Sequence, residues 1–292
     1  MKLATFRRGE APARVGRVDA DGCLRPLYLP GGRPADDLLA LIDDPALLAA
    51  AREGEETLAM DEVALLAPIP RPRRNLFCVG KNYRAHAREF GRSGYDSGPA
   101  GDDDLPAHPI VFTKTPQTVV GHGARVWDAA GVSAALDYEA ELAVIVGRGG
   151  RGIRRTEAMA HVWGYTILND VTARDWQQRH RQWDLGKSFD TFAPMGPVAV
   201  TADELDGGDL RVRCWINGEL RQDARTRDLI FDIPTLIETL SAGITLLPGD
   251  IIATGTPAGV GAGFRPPRFL ARGDEMAIEI EGIGRLVNRI GD

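Results

Sequence analysis

The sequence predicts a β-rich α+β fold, and three observations predict it. Short alternating apolar runs dominate from Asn75 onward. Only two helical patterns interrupt them, and the irregular spacing offers no series of strand–helix–strand units. The composition is that of a soluble globular chain: 292 residues, 43% hydrophobic and 26% charged, enough for a small domain plus a large one.

The elements follow in order. The runs KLATFRRG, RVGRVDADG and RPLYLP read as strands, and DDLLALIDDPALLAAARE reads as an amphipathic helical segment. LLAPIPRPRRN, with three prolines in a run of arginines, reads as a linker. Residues 1–70 are therefore expected to form a small N-terminal α/β domain, and residues 71–292 the larger body. That body carries the strand patterns LFCVG, PIVFTK, EAELAVIVG, WGYTILND, GPVAVTA, LRVRCWING, DIIATGT and EMAIEIEGIGRLVNRI. Helical patterns cover residues 174–183 and 233–242. GRSGYDSGPAGDDDLPAHP is rich in Gly, Pro and Asp and is expected to be an exposed, mobile loop of the length that lids have.

Several function classes are disfavoured. A net charge of −6 without basic clustering argues against a nucleic-acid binder. Cys23, Cys78 and Cys214 show neither zinc spacing nor a disulfide framework, which suits a reducing compartment. The N-terminal run lacks the apolar core of a signal peptide, and no stretch is long enough to span a membrane, so a cytoplasmic protein is expected. Gly147, Gly149 and Gly152 match G-x-G-x-x-G, with Asp170 near the distance of a ribose-binding acid. The context rejects that match. The preceding strand opens on glutamates, the next helix is expected to be capped by Thr156, and no βαβ series follows.

The chemistry concentrates in four stretches. In DYEAELAVIV, residues 137–146, the even positions form one apolar face, while the odd face begins with Asp137, Glu139 and Glu141. Glu139 and Glu141 repel each other unless something cationic joins them. Asp170, at the end of WGYTILND, supplies a third acid. Three carboxylates without nearby His or Cys form a hard oxygen site suited to Mg²⁺, Mn²⁺ or Ca²⁺. Thr172 and Asp175 behind it read as a capping box for ARDWQQRHRQW. In GKNYRAHAREFG, Asn82 caps and Gly91 ends a short helix, which puts His86 and Glu89 on one face, where a carboxylate strengthens an imidazole as a base. In LGKSFDTFAPMGP, Lys187 stands in an aromatic, glycine-rich loop as a fixed cation for an anion or oxyanion. IIATGTPAGVG reads as a strand entering a glycine-rich loop able to hold a carboxylate through its N–H groups.

In order, GKNYRAHAREFG, FTKTPQTVVG, LDYEAELAVIVG, GYTILNDVTARDWQ, GKSFDTFAPMGP and GDIIATGTPAGVG resemble the fumarylacetoacetate hydrolase (FAH) family, from about Asn75 to the C-terminus. The resemblance implies a mixed β-sandwich roll with the small N-terminal domain of longer bacterial members, assembled as a homodimer. It implies Mg²⁺ or Mn²⁺ on Glu139, Glu141 and Asp170. His86 and Glu89 match the dyad that activates water, and Lys187 matches the lysine that stabilises an enolate or oxyanion. Lys114, Arg174, Gln178 and Thr256 fall where the family contacts substrate or the shell behind it.

The implied activity is metal-dependent hydrolysis of a C–C bond in an acylpyruvate-type 2,4-diketo acid, of the fumarylpyruvate or diketo-deoxy sugar acid class. The same site also serves oxaloacetate decarboxylation and 2-hydroxyhepta-2,4-diene-1,7-dioate isomerisation. The competing reading is a non-catalytic metal- or metabolite-binding scaffold. Against it, every matched position holds a chemically competent residue.

Overall fold

Side chains of the strand Ala140–Val146 alternate between two faces, and both faces are buried. On the even face Tyr138, Ala140, Leu142, Val144 and Val146 pack with Val212, Cys214, Ile278 and Leu286 of a second sheet. On the odd face Ala143 and Ile145 pack with Leu38, Leu41 and Ile42 of an N-terminal helix. The strand that carries Glu141, with Glu139 just before it, is thus the middle layer of the molecule; the predicted strand 137–146 is broken at residues 138–139, and Leu136–Asp137 pairs separately with Thr172–Ala173.

The computed structural model describes residues 1–95 and 105–291. Its 13-stranded sheet is mixed. Ala140–Val146 pairs antiparallel with Val162–Asn169 on one side and Ile251–Ala253 on the other. Outward from the first neighbour come Ala193–Thr201 and then Lys2–Arg7, so the N-terminal strands continue the same sheet. Outward from the second come Leu76–Gly80, in parallel, and Ile110–Lys114. Five strands form the facing sheet, in the order Arg125–Val126, Gly284–Ile290, Glu275–Ile280, Arg211–Ile216, Glu219–Arg225. Their alternation is visible in Arg211–Ile216, where Val212, Cys214 and Ile216 are buried and Arg213 and Trp215 are half-buried. This is the sheet-rich α+β architecture with few helices that the sequence predicts.

Several local expectations are corrected. The N-terminal helical segment is two helices, Leu38–Asp43 and Pro45–Ala50. The Asp44 carboxylate caps the second by accepting from the N–H groups of Ala46 and Leu47, at 3.0 and 3.1 Å, and Pro45 at its first position has no N–H to continue the first. Thr172 and Asp175 do not form a capping box. The Thr172 hydroxyl donates to the Asp170 carbonyl at 2.9 Å, and Asp175 accepts from Ser133 Oγ at 2.6 Å. Asn82 does not cap the helix Arg84–Gly91, which begins after Tyr83. Its amide instead donates to the carbonyls of Phe231 and Thr254, pinning the loop before the helix. The chain after the glycines forms only the short 3₁₀ turn Ala158–His161, entered from Glu157 rather than Thr156. With antiparallel neighbours on both sides, the glycine-flanked strand has no dinucleotide-binding context. Residues 96–104 of the predicted lid loop lie outside the described residues. Among the described residues, no helix is long and apolar enough to cross a membrane.

Because both faces of the middle strand are dry, Leu142→Ala and Ile145→Ala should each lower unfolding free energy by about 2–5 kcal/mol in urea titrations. An unchanged Ile145→Ala variant would contradict the second buried layer.

Candidate active site

Strand pairing assembles the acids. The register sets Ala140 opposite Asn169, and the Asp170 N–H donates to the Glu139 carbonyl at 2.9 Å. The Glu139 N–H in turn donates to Asn169 Oδ1 at 3.0 Å. One carboxylate oxygen from each of Glu139, Glu141 and Asp170 then lies within 4.8 Å of the others, and all three residues are buried.

Three buried cations surround them. Lys187 is the last residue of a short helix, Asp184–Lys187, rather than a loop residue. Its Nζ donates to Glu139 Oε2 and Asp170 Oδ2, both at 2.7 Å, and lies 4.9 Å from the centre of the Phe112 ring. Burial pulls its ammonium down, but Asp170 and Glu139 outweigh that and keep it charged. Arg174, in the helix Arg174–His180, donates from Nε to Asp137 Oδ2 at 2.9 Å and from Nη1 to Gln177 Oε1 at 3.1 Å. Its Nη2 sits 2.6 Å from Glu139 Oε1, a buried ion pair. Burial would raise the Glu139 carboxyl. Lys187, Arg174 and His86 together hold it well below the ordinary carboxylate range.

Glu141 is different. The contact that holds its carboxylate is a hydrogen bond from the Gly255 N–H at 2.7 Å. Burial, then Asp170 and Glu139, push its carboxyl well above the ordinary range.

His86 and Glu89 do meet on the helix Arg84–Gly91, with Nδ1 3.4 Å from Glu89 Oε2. Glu89 is held from behind by the Gly259 N–H, at 2.9 and 3.1 Å from its two oxygens. With Nδ1 turned to a carboxylate, Nε2 is left as the proton acceptor. His86, Glu139, Glu141, Arg174, Lys187 and Thr256 line one cleft.

Two predicted contacts stand elsewhere. Lys114 lies behind the cleft with all three ammonium donors spent, on Asp170 Oδ1 at 2.7 Å, the Val171 carbonyl at 3.0 Å and the Lys187 carbonyl. Gln178 turns outward and donates to the Gly94 carbonyl at 2.7 Å. The glutamine that lines the cleft is Gln177, one residue and about 100° around the helix. The glycine-rich loop does bind carboxylates through its N–H groups, but they are the protein's own: Glu141 on Gly255, Glu89 on Gly259, and Asp137 on Gly261 and Ala262. Sequence reasoning gave Gln177 and Asp137 no role. For Asp137 the signal was present, since it begins the acidic odd face two residues before Glu139.

Residues 75–291 match the family model described as fumarylacetoacetate (FAA) hydrolase C-terminal. The chain belongs to the fumarylacetoacetate hydrolase family. It is 52% identical over 239 residues to the oxaloacetate tautomerase YisK of Bacillus subtilis (strain 168), covering 82% of this chain and 76% of that protein. Among solved structures it is similar to a fumarylacetoacetate hydrolase from psychrophilic Exiguobacterium antarcticum, at TM-score 0.82 and 40% identity, covering 99% of each chain. It is also similar to a 2-hydroxyhepta-2,4-diene-1,7-dioate isomerase from Mycobacterium marinum, at TM-score 0.75 and 32% identity, covering 99% of this chain and 98% of that one.

The donor set fits the divalent ion expected of an FAH-family site. Asp137, Glu139, Glu141 and Asp170 are buried beside Lys114, Arg174 and Lys187, and of these four acids Glu141 alone has no ion pair. A hard cation between three carboxylates converts that unpaired charge into coordination. Glu141→Gln should therefore split two properties. The ion-free protein should melt at the same temperature or higher, because a like-charge contact is gone. Mn²⁺ affinity by calorimetry should fall by at least about 10–100-fold, the loss that even outer partners of metal ligands produce.

Proposed function

We propose that this protein interconverts the keto and enol forms of a small 2-oxo dicarboxylic acid of the oxaloacetate class, with Mg²⁺ or Mn²⁺ held by Glu139, Glu141 and Asp170. The observation that carries this reading is the meeting of Glu139, Glu141, the His86 imidazole, Arg174 and Lys187 around one cleft, with Asp170 beside the two glutamates. The identity to a bacterial oxaloacetate tautomerase supports the same substrate class.

When bound, the ion polarises the 2-oxo group and favours the enolate over the keto form. The remaining work falls to side chains. Arg174, in the wall of the cleft, adds a fixed positive charge to the field that receives a substrate carboxylate. His86, oriented through Nδ1 by Glu89, accepts the C3 proton at Nε2 and returns it in the reverse direction. Lys187, kept charged by Asp170 and Glu139, stabilises the oxyanion that develops at the 2-oxo oxygen. Protonation of that oxygen from solvent completes the enol.

Hydrolysis of an acylpyruvate is the second reading. The His86–Glu89 dyad favours it, because the same imidazole can deprotonate a water instead of a carbon. The similarity to the Exiguobacterium antarcticum fumarylacetoacetate hydrolase also supports it. Decarboxylation of oxaloacetate uses the same enolate and needs no base. A homodimer is part of the proposal.

Ultraviolet absorbance of the enol follows tautomerisation directly. Metal-loaded protein should speed the decay of enol-oxaloacetate, and a chelator should remove the acceleration. His86→Ala should lower that rate by about 10²–10⁴-fold. Full activity in a metal-loaded His86→Ala protein would remove the imidazole from the mechanism. Cleavage of an acylpyruvate into two acids, at a higher kcat/KM than tautomerisation, would establish the second reading in place of the first.

A further inference from the structure

Asp137, on the short strand Leu136–Asp137, is the acid of the stretch 137–146 to which the chemistry above gives no part. It is fully buried and does not line the cleft. Its two oxygens accept four hydrogen bonds. Oδ1 takes the N–H groups of Tyr138 at 2.9 Å and Gly261 at 2.6 Å. Oδ2 takes the Ala262 N–H and Arg174 Nε, both at 2.9 Å. Four donors use all the lone-pair positions of a carboxylate.

Those bonds lead to both halves of the site. Through Nε, Asp137 sets the plane of the Arg174 guanidinium, which brings Nη2 to 2.6 Å from Glu139 Oε1 and Nη1 onto Gln177. Through Gly261 and Ala262 it holds the turn whose Gly259 N–H reaches both oxygens of Glu89. The turn has little freedom to sit elsewhere. Gly259 has φ +103°, and a Cβ there would run into the Arg221 carbonyl, while a Cβ on Gly263 would run into the Glu89 carboxylate.

We propose that Asp137 is a positioning residue that aligns the two halves of the site at once: one carboxylate, out of reach of substrate, sets Arg174 against Glu139 and the 259–263 turn against Glu89. A buried acid that only satisfied backbone would leave both halves unmoved when replaced. The kinetic arm of the test rests on the function proposed above, and the binding arm does not.

Asp137→Asn keeps the shape but replaces one acceptor oxygen with an N–H₂ group, which faces N–H donors in either orientation. A circular-dichroism melt first establishes that the variant folds. Its Mn²⁺ affinity by calorimetry should fall by about 10–100-fold, the range for groups that orient metal ligands. Its turnover should fall by a similar factor. Combined with Glu89→Gln, the two losses should come to far less than their product, because part of the effect of Asp137 passes through Glu89. Either a full product in that cycle or an Mn²⁺ affinity within about twofold of wild type overturns the proposal. If wild-type protein turns over no 2-oxo acid, the functional reading fails, and the Mn²⁺ measurement alone decides the role of Asp137. Should Asp137→Asn not fold, Ala262→Pro removes one of the four donors, leaves the carboxylate in place, and enters the same two measurements.

Discussion

The structure depends on a buried charge imbalance. Four carboxylates and three cations are packed at the ends of neighbouring strands, out of contact with bulk water. Breaking one such pair leaves a buried charge uncompensated, at a cost of about 3–5 kcal/mol. Each member is therefore fixed by several partners. Lys114 fixes the backbone of Lys187 and Val171 while it neutralises Asp170. Glu141 alone has no ion pair, and burial, then Asp170 and Glu139, raise its carboxyl. A divalent ion would bring the local balance to one net positive charge, which is complementary to a dianionic 2-oxo acid.

The scaffold makes this strained arrangement tolerable by holding it from all sides. The middle strand is clamped between two apolar clusters, so Glu139 and Glu141 project from a rigid element at one end. The glycine-rich loop after Ile251–Ala253 then supplies backbone N–H groups to three of the protein's own carboxylates. Peptide N–H dipoles of the loop thus stand in direct contact with them.

The readings proposed for the cleft share a charge. Enolisation, decarboxylation and C–C hydrolysis of a 2-oxo acid each develop an enolate, and Lys187 and Arg174 line the cleft as fixed cations whichever bond breaks. Enolisation and hydrolysis differ in what His86 Nε2 would deprotonate, carbon or water.

Much of this was legible in the chain. Alternation in residues 137–146 identified the acidic face, and the order of short motifs identified the family, because strand periodicity and glycine turns are local properties. Local pattern also misled. Thr172 with Asp175, and Asn82 before its helix, have the spacing of caps, yet long-range partners claim their side chains: the Asp170 carbonyl, Ser133, Phe231 and Thr254. Gln177 and Gln178 differ only in the phase of a helix whose start the sequence does not mark. The sequence by itself determined the β-rich class, Glu139, Glu141 and Asp170 as a candidate hard-metal set, and the His86–Glu89 pair, each read from motifs a few residues long. Only the tertiary structure decided that Lys114 serves the scaffold, that the glycine loop clamps internal acids, and that Asp137 joins the two halves. Those contacts span 124 residues in the case of Gly261 and Asp137, and no local periodicity encodes a hydrogen bond between a strand and a turn so far apart in sequence.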